Sequence, residues 1–106
     1  MGTLLLVLHL VISDVTVVDG NGLYEMCSGD RFGCLMYVFG YLDGAHRYGR
    51  EFCFPTSTLP EQLRKVIWQY LNTHPADRDE AAGILIDAAI DAAWPCDVRK
   101  NHWHHE

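Results

Sequence analysis

The stretch TLPEQLRKVIWQYLNTHP, Thr58 to Pro75, decides how this chain reads. It opens with T-x-x-E, in which Thr58 can accept from the Glu61 amide while Glu61 bonds back, a capping box at a helix start. Pro60 sits in the first turn, where its missing donor costs nothing. Leu63, Val66, Ile67, Tyr70 and Leu71 then recur at helical spacing and form one apolar stripe. Pro75 ends the run, because the residue before a proline, His74, is pushed out of helical geometry.

Working outward, ADRDEAAGILIDAAIDAAW, Ala76 to Trp94, reads as a second helix. Ala82, Leu85, Ile86, Ala89, Ile90, Ala93 and Trp94 share its inward face, with Glu80, Asp87 and Asp91 opposite. Asp87 and Asp91, one turn apart, repel by a few tenths (~0.3) of a kcal/mol. The link around Pro75 is too short for anything but an antiparallel hairpin. Upstream, DRFGCLMYVFGYLDGAHRYG reads as a helix capped by Asp30, with Phe32, Leu35, Met36, Phe39 and Leu42 expected to face inward. Gly40 and Gly44 leave a flat strip on it. Internal helix packing is the preferred reading of that strip, with approach of a second chain as the other. A short helix LYEMC, ended by Ser28-Gly29, precedes it, and Asp19 to Gly22 reads as a turn. The fold class is therefore all-α, a small bundle of about four helices. The expected division is 1–20 as an apolar N-terminal segment, 21–97 as the helical domain and 98–106 as a loose His-rich tail.

The N-terminal run Leu4 to Ile12 has the length of an export-signal core and is too short to span a bilayer, so no stable membrane insertion is expected. It lacks a charged n-region, since no Lys or Arg occurs before Arg31. The β-branched run Val15 to Val18 suits a short buried strand equally well. With a net charge of −6 and scattered basic residues, a nucleic-acid partner is disfavoured and a basic protein partner fits better.

The four cysteines, Cys27, Cys34, Cys53 and Cys96, carry the decision about chemistry. A nucleophilic cysteine needs a nearby base, and no C-x-x-C or protease-like motif places one. No cysteine spacing matches a structural zinc site, and the His102–His105 cluster lies in the tail, where metal uptake would be adventitious. No catalytic role, cofactor or metal is expected. What remains is a pair of staples, as an even cysteine count in a short exported chain suggests. The hairpin brings the end of its second helix beside the start of the first, so Cys53–Cys96 is economical and leaves Cys27–Cys34 to bridge the first two helices. Cys27–Cys53 with Cys34–Cys96 is the other pairing considered.

The blocks CLMYVFGYLDGA, FCFPTSTLPEQLRKVIWQYLNTHP and AWPC, in that order, resemble the Rap/Tai immunity proteins, small periplasmic antitoxins associated with type VI secretion amidase effectors. Phe52-Cys53-Phe54-Pro55, Leu59 to Gln62, Tyr70-Leu71, His74-Pro75 and Pro95-Cys96 follow the family pattern. Gly40-Tyr41 stands farther from Cys34 than that pattern has it, and Trp94 stands where Phe is commoner. The resemblance implies a periplasmic protein that binds a peptidoglycan amidase effector and blocks it, with a possible homodimer. The alternative is a stapled envelope domain of the same fold with a structural or general binding role. The family motif does not include contact residues. From chemistry and expected exposure, the partner-binding candidates are Phe54 and Thr56 in the connector, Arg78, Asp79 and Glu80 in the turn, and Asp87 and Asp91 on the acidic face.

Overall fold

In the computed structural model, residues 17–97 are described. The expectations for the N-terminal run and for the His-rich tail lie outside them. Four α-helices follow one another: α1, Gly20–Gly29; α2, Arg31–Arg47; α3, Pro60–Thr73; and α4, Ala82–Ala93. A 3₁₀ turn, Pro75–Asp77, joins α3 to α4. No strand occurs among the described residues; one isolated antiparallel bridge joins Asp19 to Ala81.

The core is a layer of aliphatic side chains from all four helices. Leu23 of α1, Val38 of α2, Ile67 and Leu71 of α3, and Ile86 and Ile90 of α4 are fully buried, and Leu63 and Leu85 nearly so. Both stripes of the α3–α4 hairpin meet here as the sequence pattern requires. Each buried Leu or Ile contributes roughly 1.5–3 kcal/mol of transfer free energy.

The disulfides close this thin core at two places. Cys27 is joined to Cys34 and Cys53 to Cys96, with Cα–Cα distances of 4.8 and 5.2 Å. The first bond is buried between α1 and α2; the second ties the connector before α3 to the end of α4. Every cysteine is thus consumed.

Among the described residues, Arg64 is the buried charge. Its Nη1 donates to the Cys27 carbonyl at 2.6 Å, and its Nε and Nη2 donate to Glu61 Oε1 at 3.0 and 2.6 Å. The Cys27 carbonyl lies in the last turn of α1, which has no intrahelical partner and carries the negative end of the helix dipole. A guanidinium satisfies it there, and Glu61 balances the charge. Both members hold their ionised forms: the hydrogen bond from Arg64 lowers the Glu61 pKa, and the bond to Glu61 raises that of Arg64.

Five expectations are corrected. First, α2 turns another face to the core: of the five expected inward residues Leu35 and Leu42 are half-buried, and the other three face out. Cys34 and Val38 are buried and Tyr37, Tyr41 and Leu42 pack beside them, whereas Phe32, Met36 and Phe39 are 74, 55 and 40% exposed. The short disulfide pulls Cys34 inward, and a helix apolar on every side follows that anchor.

Second, Gly40 and Gly44 meet nothing within 4 Å of an added Cβ, so neither marks an internal helix contact. Close approaches from residues distant in sequence occur at Gly83, where a Cβ would stand 2.5 Å from the Tyr41 ring, and at Gly20, where it would meet the Leu85 side chain and the Arg78 backbone at 2.7 Å.

Third, α1 starts at Gly20 and not after Gly22, because Asp19 accepts from the Gly22 amide and acts as N-cap.

Fourth, α4 starts at Ala82 and not at Ala76. The backbone of residues 78–82 is engaged with the first residues of α1 and with Val18 before it: Gly20 N donates to Glu80 O, Asn21 N to Arg78 O and Ala82 N to Val18 O. Glu80 therefore does not lie on the α4 face. Fifth, the α3 cap is shifted by one residue. Leu59 is the N-cap and its amide donates to Gln62 Oε1 at 2.8 Å; leucine has no acceptor, so only this half of a capping box forms.

Candidate partner-binding surface

The connector between α2 and α3 runs along the C-terminal half of α4 and is held there three times. Cys53 is bonded to Cys96. The Phe54 ring packs edge-on against Trp94, with centroids 5.9 Å apart. Arg50 Nη2 donates to Asp91 Oδ2 at 2.6 Å, while its Nε stands 3.7 Å from Asp87 Oδ1. The guanidinium also lies 4.5 Å from the centre of the Phe52 ring.

This arrangement resolves the repulsion between Asp87 and Asp91. One cation serves both carboxylates, and the bond to Asp91 raises the Arg50 pKa further. Tyr41 completes the group by donating to Asp87 Oδ1 at 2.9 Å. Burial first, and this hydrogen bond second, push the Tyr41 phenol up to about 12. The acidic stripe is thus a built network of Tyr41, Asp87, Arg50 and Asp91, with the Asp91 side chain about half exposed. Nothing in the local sequence flags Arg50, because its partners lie 37 and 41 positions away.

The turn between α3 and α4 is built differently. Arg78 Nε donates to the Leu71 carbonyl at 2.7 Å, and its guanidinium lies 3.9 Å over the Tyr24 ring. It closes the C-terminus of α3, which orphaned carbonyls and the helix dipole both favour. The ring beneath it is fixed in turn: Tyr24 Oη donates to Asn72 Oδ1 at 3.0 Å and the ring stacks on Trp68. Asp79 and Glu80 are exposed beside it, with Glu80 engaged through its carbonyl.

The candidate residues therefore fall into two groups at opposite ends of the hairpin. Phe54, Asp87 and Asp91 gather at the connector end, and Thr56 is exposed in the turn just before α3. Arg78, Asp79 and Glu80 lie at the far end, about 20 Å away along a helix of 14 residues. Phe54 and Arg78 are committed to internal packing, whereas Thr56, Asp79, Glu80 and Asp91 present their side chains to solvent.

Sequence reasoning missed a third surface, the outer face of α2. The Phe32, Met36 and Phe39 spacing was visible, but it was assigned to the core. Among the described residues no three His, Cys, Asp or Glu side chains come together to hold a metal, and no helix is long and apolar enough to cross a membrane. The two disulfides fit a secreted or periplasmic protein.

No curated protein and no solved structure matches the chain. The family model of the Rap1a immunity proteins matches residues 19–96, from the N-cap of α1 to the second cysteine of the long disulfide. Because that match takes in all four helices and both staples, this chain belongs to the Rap1a immunity protein family, whose role is immunity against effector toxins.

Proposed function

We propose that this protein is a periplasmic antitoxin that binds a peptidoglycan amidase delivered by a type VI secretion system and blocks its active site. The observation that carries the reading is the connector. It is locked by Cys53–Cys96 onto α4, so that the Phe52–Phe54 rings and the half-exposed Asp91 of α4 are fixed side by side on one stapled junction. A preorganised surface loses little conformational freedom on binding, which is how a small rigid inhibitor gains affinity. The resemblance of Phe52 to Pro55 and of Pro95-Cys96 to the amidase-associated immunity proteins supports the amidase as target. Asp87 and Asp91 outnumber the one Arg50 cation between them, so this group keeps a net negative charge that would speed encounter with a basic toxin.

The same reading includes a homodimer formed through the outer face of α2. Phe32, Met36 and Phe39 occupy its N-terminal half, while Gly40, exposed and with open space above it, lies beside them at the start of the other half. An antiparallel crossing places the bulky residues of one helix against Gly40 of its partner, the self-complementarity that a two-fold interface needs.

The test is co-expression. A type VI peptidoglycan amidase from the same genome, directed to the periplasm, should lyse cells, and this protein in the same compartment should prevent lysis. Lysis that continues unchanged with the antitoxin folded and present refutes the proposal.

A further inference from the structure

Three of the chain's eight Lys and Arg residues line one cleft, although the protein carries a net charge of −6. The cleft, of about 380 Å³, lies between the C-terminus of α1, the start of α2 and the middle of α3. Arg31, Arg64 and Lys65 supply its charge, and Cys27, Ser28, Trp68 and Gln69 complete it. No Asp or Glu is among the described residues that line it.

Arg64 is held rigid by the Cys27 carbonyl and by Glu61, and these bonds use three of the five N–H groups of its guanidinium. Arg31, 71% exposed, stands 3.8 Å from Glu61, too far for a hydrogen bond. Lys65 is exposed and makes no hydrogen bond among the described residues. One wall is the Trp68 indole, oriented by its Nε1–H, which donates to Ser28 Oγ at 2.9 Å; Ser28 in turn donates to the Tyr24 carbonyl. The positive field is felt next to the cleft: after Arg64, both Arg31 and Lys65 help to hold Glu61 in its ionised form.

We infer that this cleft receives an acidic side chain of a partner polypeptide, its carboxylate between Lys65, Arg31 and the fixed Arg64 and its methylenes against Trp68. Charge-assisted bonds from guanidinium and ammonium groups are the strong ones, and an aromatic wall adds apolar contact to an otherwise polar site. A polyanion such as nucleic acid is repelled by the acidic remainder of the surface, whereas a loop with one or two carboxylates meets only the local field. The site lies away from the Arg50 network, so a partner that used both would be gripped by an acidic patch and by a basic one. The inference rests on the reading of the protein as a partner-binding scaffold.

The test is a titration of the oxidised full chain, nitrogen-labelled, with the peptide Ac-Gly-Glu-Glu-Gly-NH2 at low ionic strength, followed by amide and indole N–H shifts. Saturable shifts are expected at the Trp68 indole and around Arg31 and Lys65, and they should shrink as salt is added. Arg31→Gln with Lys65→Gln should weaken binding about fivefold or more, as expected for loss of two charge contacts. Arg47→Gln, which removes an exposed cation elsewhere on α2, should leave binding unchanged. Shifts that do not saturate, equal weakening by Arg47→Gln, or phosphate binding as tightly as the peptide would each overturn the assignment. A protein that protects cells but ignores the peptide sinks this site and leaves the antitoxin reading standing. One that binds the peptide but protects nothing supports the cleft and sinks that reading.

Discussion

Removing the long disulfide should cost far more than its position near the end of the domain suggests. Cys53 and Cys96 are 43 residues apart and Cys27 and Cys34 only 7. Loop-closure entropy gives about 4 kcal/mol for the first link and about 2.4 kcal/mol for the second. A domain of this size has roughly 4–12 kcal/mol of total stability, so Cys53→Ala with Cys96→Ala removes between a third and nearly all of it. Cys27 and Cys34 are fully buried, so alanine there also empties core volume, whereas the long link lies in a partly exposed junction. The two effects separate in urea denaturation. Releasing a long cross-link lets the unfolded chain expand, so the long-link variant should show a lower midpoint together with a steeper dependence on denaturant. The short-link variant should lose stability with the slope almost unchanged. On heating, the long-link variant should melt roughly 15–30 °C lower. A loss below about 1 kcal/mol with an unchanged slope would refute the reasoning. It would mean that the Phe54–Trp94 contact and the Arg50–Asp91 bond hold the junction without the sulfur.

Tyr41→Phe removes the bond to Asp87 and should cost about 1–2 kcal/mol in chemical denaturation. Because the phenol is raised from 10.0 to about 12 on folding, its contribution is complete below pH 10 and is lost as pH rises towards 12; the variant should lack that alkaline loss. Glu61 is lowered, so its contribution is present above the unfolded carboxylate value and fades as pH falls through the folded one. Glu61→Gln should flatten the acid limb of the stability curve. Arg64→Leu leaves the Cys27 carbonyl and Glu61 without their donor and should cost about 2–3 kcal/mol, read by thermal melting. Met36→Asp on the outer face of α2 should leave the melting point nearly unchanged and convert dimer to monomer in sedimentation; a dimer that persists removes α2 as the interface.

The helical class, the α3–α4 hairpin and the stapled ends were legible because each rests on local signals. The Leu63, Ile67 and Leu71 stripe is unambiguous, Pro75 forces the break, and the hairpin then places Cys96 beside Cys53. The face of α2 was not legible. Apolar residues surround that helix, so spacing alone allows two inward faces, and the buried Cys27–Cys34 bond selects between them. The glycines misled for a related reason. Gly40 and Gly44 form a visible pair, yet the real contacts are at Gly20, which resembles a turn residue, and at Gly83, which only weakens a helix on paper. The start of α4 depends on bonds to Val18 and Gly20, some sixty residues away, which no local pattern reveals. The same is true of Arg50: Asp87 and Asp91 read as mutually repelling until the fold places a guanidinium between them.

The most direct test of the central claim is inhibition of a type VI peptidoglycan amidase from the same genome by the purified, oxidised protein. Peptidoglycan hydrolysis is measured while the protein is titrated against a fixed amount of enzyme. The account predicts a linear fall to zero activity at one chain per enzyme, with the end point unchanged by substrate excess. Full hydrolysis at a large molar excess of folded protein would contradict it.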